Sequence, residues 1–327
     1  MKILVVGLGS MGKRRINLLK NNFQNIDIAG VDLNCERCKQ VESLYSIKTY
    51  GDFSDAIQNY SPDAVIICTA PLSHGDLILE SIRNGLHVFS EINLVSDKYE
   101  DIILEADKNN VKLFLSSTLL YRKEIEIIKS YVLQDEYKIN YRYHVGQYLP
   151  DWHPWEHYRD FFVGDKRTNG CREILAIDMP WIIYIFGKIK KINVMKDKIS
   201  SLNIDYPDNF FILLEHVNGN KGVLLVDVVS RKAVRDLLVY SENLYLTWDG
   251  TPDGIQKYDI VNKTTINIKS YNIIEKDNRY SPTIIENAYL DELKVFIDKI
   301  ENNKNNERYT FADDKYTLQI IDRIEED

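Results

Sequence analysis

A short apolar run followed at once by three spaced glycines constrains this 327-residue chain more than any other stretch. Lys2 to Val6 (KILVV) predicts a parallel strand buried on both faces, and Gly7-Leu8-Gly9-Ser10-Met11-Gly12 follows it directly. In a G-x-G-x-x-G loop the first glycine allows a tight turn, the second lets the backbone approach a pyrophosphate, and the third lets the next helix pack on the strand. The order predicts a dinucleotide-binding unit, with the phosphates at the helix N-terminus.

The next predicted strand ends on an acidic residue. Ile26 to Val31 is the strand, and Asp32 comes twenty residues after Gly12. A carboxylate there can accept hydrogen bonds from both ribose hydroxyls of an adenosine and would repel a 2′-phosphate. We therefore predict NAD(H), rather than NADP(H), as the cofactor. Two alternatives stay open: Arg37 could bind a 2′-phosphate, or the loop could be a glycine-rich turn without a ligand.

Strands and helices alternate to about residue 118, with further strands predicted at 47–50, 64–68, 87–91 and 111–116. This rhythm is typical of a doubly wound parallel sheet, so we predict an α/β fold with an N-terminal Rossmann domain over residues 1–118. Residues 119–327 are assigned to an α+β domain for substrate binding and oligomerisation. In it, alternating segments between 138 and 248 predict a meander, with a hairpin turn at Asn218-Gly219-Asn220-Lys221.

The composition limits the partners. With 44% hydrophobic and 28% charged residues, the chain is typical of a globular protein, and no apolar run approaches the roughly 18 residues of a membrane span. A core strand lies where a signal peptide would be, so we expect a cytoplasmic protein without a membrane partner. A net charge of -8 argues against a nucleic-acid surface. The pair Cys35 and Cys38 has no second pair to complete a metal site, so no metal is predicted.

A polar loop marks the ligand side of the predicted sheet. Thr69-Ala70-Pro71-Leu72-Ser73-His74 follows the apolar segment that ends at Cys68, and folds of this kind place ligands at the carboxyl ends of strands beside the switch point. We therefore assign cofactor contacts to residues of the glycine loop, the second strand and this loop: Gly7, Gly9, Ser10, Met11, Gly12, Asp32, Thr69, Ala70, Pro71 and His74.

These stretches, together with Asn84-Gly85-Leu86-His87-Val88-Phe89-Ser90-Glu91, resemble the Gfo/Idh/MocA oxidoreductases, named for glucose-fructose oxidoreductase and inositol dehydrogenase. The resemblance extends over essentially the whole chain. It implies a Rossmann domain followed by a domain with a large open, mostly antiparallel sheet, through which we expect a homo-oligomer, a dimer or a tetramer. It also implies that NAD or NADP is used to oxidise or reduce a hydroxyl or ketone on a sugar, a cyclitol or a nucleotide-activated sugar.

One motif departs from the family pattern. The family usually has Glu-Lys-Pro where this chain has Glu91-Ile92-Asn93. That lysine helps to hold and polarise the reacting oxygen, and the proline fixes the turn beside the nicotinamide. Isoleucine cannot donate a proton or a hydrogen bond, so the lysine's role does not transfer to Ile92. Glu91 and Asn93 can still shape the nicotinamide pocket, although Glu91 could instead pair with local N–H groups.

An aromatic loop carries the densest functional signal. Residues 146–160 contain two tryptophans, two histidines, two tyrosines, an arginine and several acids. Aromatic faces can stack on sugar C–H faces, and charged groups can fix hydroxyls or an anion. We assign Trp152, Trp155, Glu156 and Arg159 to the substrate. The alternative is an aromatic plug over the domain's core, or a subunit contact.

His153, in this loop, is the first candidate acid/base, because an imidazole near its reference pKa of about 6.5 works in either direction at neutral pH. Tyr121, Tyr158 and Glu173 are the further candidates. Tyr121 and Arg122 begin the second domain's first predicted helix, and the family geometry would turn them toward the cofactor. We assign Arg122, like Arg172 and Asp178 below, to the substrate.

The segment from Asn169 opens an apolar helix that reaches Gly187. The family usually has an aspartate here and, four residues on, a histidine directed at the substrate carbon; this chain has no such pair at that spacing. Glu173 and Asp178 are the nearest equivalents, but residues five apart on a helix lie about 140° apart, so we do not expect both to point at one atom. Arg172 and Glu173 are preferred for the site, with Asp178 near it. The alternative for Glu173 is a helix-terminal cap and salt bridge.

Three hypotheses on function follow. The first is an NAD(H)-dependent oxidoreductase of a sugar-like or cyclitol-like substrate, with its proton relay rebuilt from the aromatic loop and Arg172-Glu173. The second, motivated by Ile92, is an NAD-binding sensor or assembly subunit without catalysis. The third is a redox-neutral epimerisation or elimination in which the hydride is returned.

Overall fold

The chain divides into two compact units in the computed structural model, which describes residues 1–153, 156–276 and 283–326. The first unit combines Met1–Ser117 with Tyr289–Lys315, and the second combines Thr118–Ala288 with Tyr316–Asp327. The assignment of all of 119–327 to the second domain therefore needs correction, since a late segment returns to the first unit. The reason is packing: the Phe296 ring lies 5.5 Å from the Phe89 ring and 6.0 Å from the Phe114 ring, between centroids.

The first unit is built around a six-stranded parallel sheet. Its strands are β1 Lys2–Val6, β2 Asp27–Val31, β3 Lys48–Tyr50, β4 Ala64–Ile67, β5 His87–Ser90 and β6 Leu113–Leu115. Its helices are α1 Ser10–Asn22, α2 Cys35–Tyr45, α3 Phe53–Tyr60, α4 His74–Arg83 and α5 Tyr99–Lys108. The strand order β3-β2-β1-β4-β5-β6 confirms the doubly wound sheet, and the order reverses between β1 and β4.

Local sequence explains these elements. All four residues of β4 are completely buried, as are Ile3, Leu4 and Val5 of β1, because helices cover both faces of a parallel sheet. Asp52 accepts a hydrogen bond from the Asp55 N–H and so caps α3.

The second unit contains helices α6 Lys123–Gln134 and α7 Gly170–Phe186 and an eight-stranded sheet. The strands are β7 Asn140–Gly146, β8 Ile189–Asp197, β9 Asn209–His216, β10 Lys221–Asp227, β11 Val234–Tyr240, β12 Tyr245–Trp248, β13 Ile255–Asp259 and β14 Thr264–Ile268. The order is β14-β13-β12-β11-β7-β10-β9-β8, and every pair is antiparallel except β7 with β10. This confirms the mostly antiparallel sheet.

The predicted meander was wrong in one respect: β7 does not lie at the edge of the sheet beside β8 but between β10 and β11. The hairpin turn between β9 and β10 is confirmed, with Gly219 at a φ of +91° that favours glycine. Strands β13 and β14 were not predicted, because exposed residues fill most of β14 and give no apolar alternation.

Two helices follow near the C-terminus: α8 Glu286–Glu301 and α9 Phe311–Glu326. The sequence pattern did not indicate α9. In the described ranges, none of the helices combines the length and the apolar character needed to span a bilayer.

Candidate functional site

The glycine loop has the geometry that its spacing predicts. Gly7 has a φ of +89°, and a Cβ there would lie 2.8 Å from the carbonyl carbon and oxygen of Cys68. A Cβ on Gly12 would lie 1.9 Å from the Gly7 oxygen, so helix α1 can approach β1 only without a side chain. A Cβ on Gly9 would meet nothing within 4 Å. The first and third glycines are therefore required by packing, and the second leaves open space at the helix start.

That open space lies at the N-terminus of α1, where Gly9 is the N-cap and Ser10 and Met11 are in the first turn. Gly9 has no side chain to cover the helix end, so backbone N–H groups and the positive end of the helix dipole can meet an anion. The arrangement fits the pyrophosphate of a dinucleotide.

Asp32 stands at the carboxyl end of β2 and links two loops. Its carboxylate accepts hydrogen bonds from the Leu8 N–H and the Asn34 N–H, both at 2.8 Å. The Arg37 guanidinium is half-exposed, and its Nη1 lies 3.7 Å from the Asp32 Oδ2. Asp32, the predicted acceptor for the ribose hydroxyls, therefore also holds the glycine loop. Arg37, which could bind a 2′-phosphate, lies next to Asp32.

The loop after β4 is held from within the unit. The Thr69 and Ser73 hydroxyls are 2.7 Å apart, and residues Pro71–Ser73 form a 3-10 turn that leads into α4. His74 is buried, with Nε2 at 2.9 Å from the Thr69 carbonyl oxygen and Nδ1 at 2.7 Å from the Asn93 Oδ1. Burial lowers the pKa of His74 from its ordinary value. Both ring nitrogens thus support the loop, and direct cofactor contact by His74 or Asn93 stays a prediction.

Glu91 belongs to a buried ionic network instead of pairing with local N–H groups alone. Arg15 in α1 is fully buried; its Nε lies 2.6 Å from the Glu91 Oε1 and its Nη2 lies 2.7 Å from the Glu292 Oε2. The Ser116 hydroxyl and the Ser117 N–H donate to the other Glu292 oxygen. The two carboxylates hold the pKa of Arg15 above its ordinary value, whereas burial raises the pKa of Glu292. Glu91 is thereby fixed at the end of β5, and no sequence signal pointed to Arg15 or Glu292.

In the second unit, the aromatic loop packs near the start of α7. The Trp152 indole N–H donates to the Gln147 carbonyl at 3.1 Å, and a Cβ on Gly170 would lie 3.5 Å from the Trp152 ring. The His153 Nδ1 lies 2.7 Å from the Glu156 Oε1, with both side chains about one-third exposed. The His153 ring also stacks on the Phe161 ring at 4.4 Å between centroids.

Other predicted residues of this loop are placed individually. The Tyr158 hydroxyl accepts a hydrogen bond from the Asn203 N–H at 3.0 Å, and Arg159 is exposed. Trp155 lies outside the described residues. Tyr121 is buried.

Glu173 has the most unusual environment of the predicted site residues. It lies in the first turn of α7, and its Oε2 is buried without a hydrogen-bond partner among the described residues. Burial raises the pKa of Glu173 to about 8. The carboxyl group is therefore poised to hold a proton at neutral pH and to lose it slightly above.

Three predicted substrate residues have charged partners within their own unit. The Arg172 guanidinium pairs with Asp322, at 2.6 Å, and with Glu325, both on α9. Arg122 is buried and makes two hydrogen bonds to the Glu124 carboxylate. The Asp178 Oδ1 accepts from hydroxyl, indole and guanidinium donors at 2.5 to 2.8 Å: Tyr143, Trp181 and Arg235. These charges are neutralised inside the unit, and contact of these residues with a substrate stays a prediction. The acids on α9 were missed because that helix was not predicted.

The strand order, the glycine cradle and Asp32 define the class: a Rossmann protein that binds a dinucleotide. Residues 1–116 match the model of the oxidoreductase family with an NAD-binding Rossmann fold, Gfo/Idh/MocA. Residues 1–116 therefore form a Rossmann domain of this family, and the cofactor is NAD.

Similar proteins extend the comparison beyond the first domain. The chain is 22% identical to inositol 2-dehydrogenase of Salmonella paratyphi B over 289 residues, which cover 80% of this chain and 83% of that protein. A myo-inositol 2-dehydrogenase from Lactobacillus plantarum has a similar structure, with a TM-score of 0.79, 16% identity and coverage of 100% and 96% of the two chains. An oxidoreductase from Agrobacterium radiobacter, in complex with NAD+, L-tartaric acid and magnesium, has a TM-score of 0.79, 15% identity and coverage of 98% and 94%. At these identities the structural comparison establishes the shared fold.

Proposed function

We propose that this chain is an NAD(H)-dependent dehydrogenase or reductase acting on a hydroxyl or ketone of a cyclitol, a sugar or a nucleotide-activated sugar, with Glu173 as the proton-handling group. NAD, when bound, supplies the hydride chemistry at the carbinol carbon. The chain's own residues must orient the substrate and move one proton. The observation that carries the proposal is the buried, unpartnered Oε2 of Glu173 in the first turn of α7.

Glu173 suits this role for a physical reason. A general acid or base works best when its pKa lies near the operating pH, and burial brings the pKa of Glu173 to about 8. Ile92 stands where the family usually has lysine and cannot transfer a proton, so another residue must do so. Glu173 lies one helical turn from Gly170, against which Trp152 packs, so an aromatic surface for a sugar ring is close to it.

His153 remains the competing candidate. Its Nδ1 faces the Glu156 carboxylate at 2.7 Å, an arrangement that orients an imidazole. Its side chain is about one-third exposed, however, and water weakens the electrostatic influence of an exposed pair. We therefore place His153 second to Glu173 for the proton, and first for contact with a substrate hydroxyl.

The substrate class is supported by the relatives together with the aromatic loop. The Salmonella relative that covers most of the chain is an inositol 2-dehydrogenase, whose substrate is a cyclitol by name. Among the described charged residues of the loop, Arg159 is exposed and could meet an anionic substituent, such as the phosphates of a nucleotide-activated sugar.

The proposal is tested with a panel of cyclitols, sugars, keto-sugars and nucleotide sugars. Purified protein with NAD+ or NADH should change nicotinamide absorbance with at least one member of the panel. Product NMR in deuterated solvent should be run in parallel, because a redox-neutral reaction leaves absorbance unchanged. Silence in both assays would favour a non-catalytic NAD-binding protein, the function that Ile92 alone would suggest.

The open face of the second unit's sheet supports a further part of the proposal, a homo-oligomer. On neighbouring strands, Met195 pairs with Phe211 and Leu213 pairs with Val223, and all four are exposed, Met195 by 77%. Exposed apolar side chains clustered on one face are typical of a protein interface.

We expect light scattering after size exclusion to give a dimer or tetramer, and Phe211→Asp with Leu213→Asp to shift it to the monomer. Val261→Asp is the matched control, because Val261 is 88% exposed but lies in the turn between β13 and β14. A wild-type monomer at micromolar concentration would exclude this interface.

A further inference from the structure

A chain of buried polar side chains runs from the cofactor loop to the C-terminal segment of the first unit. The His74 Nδ1 lies 2.7 Å from the Asn93 Oδ1, and the Asn93 amide N–H donates to the Tyr99 hydroxyl at 2.7 Å. The Tyr99 hydroxyl donates to the Asp314 Oδ2, and the Tyr309 hydroxyl donates to the Asp314 Oδ1 at 2.9 Å. All five side chains are buried, with exposures between 1% and 5%.

The direction of each hydrogen bond can be worked out from the Asp314 end. A carboxylate only accepts, so Tyr99 gives its one hydrogen to Asp314 and accepts from Asn93. The Asn93 oxygen then accepts from the His74 Nδ1. The second ring nitrogen, Nε2, lies 2.9 Å from the Thr69 carbonyl oxygen, which also only accepts. With Asp314 ionised, every bond is made only if His74 carries hydrogens on both nitrogens and is a cation.

A second arrangement satisfies the same atoms. If the proton sits on Asp314, the acid donates to Tyr99, Tyr99 donates to the Asn93 oxygen after the amide has turned over, and the Asn93 N–H donates to the His74 Nδ1. A neutral His74 still donates from Nε2 to Thr69. The two arrangements contain the same number of protons. Removing that proton leaves two acceptors facing each other somewhere in the chain, whichever way the amide points.

Burial and the nearby charge of Glu91 act on the His74 proton in opposite directions. Burial raises the pKa of Tyr99 well above its ordinary value, so its phenol keeps the hydrogen that the chain requires. Burial lowers the pKa of His74, whereas the negative charge of Glu91, which is shared with Arg15, favours a proton there. The Ser90 hydroxyl, 3.4 Å from the His74 Nδ1, donates to the Glu91 carbonyl.

The hydrogen-bond network ends at the Thr69 carbonyl, which lies in the cofactor crevice. An added Cβ on Gly7 would come within 3.0 Å of the Thr69 side chain, so Thr69 borders the glycine loop where β1 and β4 meet. Ligands of doubly wound sheets bind at this switch point. The hydrogen bond from His74 to the Thr69 carbonyl therefore holds one wall of the crevice.

We propose that His74, Asn93, Tyr99 and Asp314 form a one-proton network that positions the Thr69–Ser73 loop for the cofactor and makes NADH affinity depend on pH. His74, Asn93, Tyr99 and Asp314 act as positioning residues through the loop. The network depends on the departure at position 93, because a proline there could not supply the amide that joins His74 to Tyr99. Loss of the shared proton breaks one bond, frees the loop and weakens binding of NADH.

The test is the dissociation constant of NADH, measured by fluorescence titration from pH 6 to pH 9 without substrate. In the wild type it should rise with pH, by at most about tenfold per pH unit for one linked proton. In Asp314→Asn it should stay within about twofold across the range, because the amide supplies the hydrogen that a protonated Asp314 would supply. Tyr99→Phe interrupts the chain and should also remove the pH dependence, with weaker binding throughout.

Tyr309→Phe is the matched control, since it removes a phenol from the same carboxylate but leaves the path to His74 intact. It should keep the wild-type slope. A flat wild-type profile, or the same slope in Asp314→Asn and wild type, overturns the proposal, and so does a flat profile in Tyr309→Phe. If Asp314→Asn does not fold, Tyr99→Phe replaces it, and its NADH dissociation constant is compared with that of the wild type across the same pH range. The measurement uses NADH alone and is independent of whether any sugar is turned over.

Discussion

Glu173→Gln is expected to lower kcat about 10²- to 10⁴-fold on any substrate that the panel identifies, the loss typical of a removed general acid or base. Glutamine keeps the shape of the side chain and can still hydrogen-bond, but it cannot exchange a proton. The dissociation constant of NADH should stay within about threefold of wild type, less than roughly 1 kcal/mol, because the cofactor cradle belongs to the first unit. Steady-state kinetics and fluorescence titration give the two values.

The pH dependence of wild-type turnover should also reflect the protonation state of Glu173. Burial raises the pKa of Glu173 to about 8, so the neutral acid dominates at pH 7. Reduction of a ketone needs this acid and should slow above about pH 8, whereas oxidation of the alcohol needs the carboxylate and should accelerate up to that pH. Glu173→Gln should lack both limbs.

Stability provides a control that needs no substrate. The folded pKa of about 8 lies above the ordinary 4.5, so folded Glu173 retains a proton that the unfolded chain releases, and stability falls as the pH rises through this window. Glu173→Gln should therefore gain stability relative to wild type from pH 5 to pH 8, by at most about 1.4 kcal/mol per pH unit. Denaturant unfolding at several pH values measures this difference.

His153→Gln distinguishes the two candidates for the proton. If Glu173 handles the proton, His153→Gln should act mainly on KM, through lost substrate contact. A loss of 10²-fold or more in kcat for His153→Gln, with wild-type turnover in Glu173→Gln, would transfer the role to His153 and make Glu173 a buried structural acid.

Wild-type protein is expected to bind NADH about 10- to 100-fold more tightly than NADPH, and Asp32→Asn should abolish this preference. The carboxylate repels a 2′-phosphate, whereas asparagine keeps an oxygen to accept the Leu8 N–H, so the glycine loop should remain in place. The preference is measured by parallel fluorescence titrations of the two cofactors, with circular dichroism to check folding.

Arg37 determines how strongly Asp32→Asn shifts the preference from NADH to NADPH. Its Nη1 lies 3.7 Å from Asp32, and without that carboxylate its charge becomes available to a 2′-phosphate. Asp32→Asn should therefore bind NADPH at least as well as NADH, and adding Arg37→Met should weaken NADPH specifically. Equal affinities in the wild type would contradict the role of Asp32 and show that Arg37 already compensates for its charge.

Structural features that depend on short stretches of sequence could be predicted well. The strand KILVV, the glycine spacing and the acid after the second strand depend on neighbouring residues, so the Rossmann sheet and its cofactor followed from local pattern. The hairpin at Gly219 and the helix that ends at Gly187 were predicted for the same reason, since backbone conformation near glycine is a local property.

Interactions between distant residues could not be predicted in this way. Nothing near Arg15 indicates that Glu292 will neutralise it, and nothing near Arg172 indicates that α9 will bring Asp322 and Glu325 to its guanidinium. Without these partners, a buried arginine in a site-like segment was assigned to the substrate. The energy of such a charge depends on what surrounds it after folding, because desolvation is offset only by a partner in contact.

By itself, then, the sequence determined the dinucleotide fold, the cofactor and the list of polar residues from which a site could be built. Only the tertiary structure decided which of those residues are neutralised inside their own unit and which remain available. Arg122, Arg172 and Asp178 have ionic partners. Glu173 and Asp178 each have one buried oxygen without a hydrogen-bond partner among the described residues, but the other Asp178 oxygen is paired with Arg235. The physical reason is that a side chain's protonation and its freedom to bind are properties of its surroundings, and packing brings those surroundings from parts of the chain that local pattern does not connect.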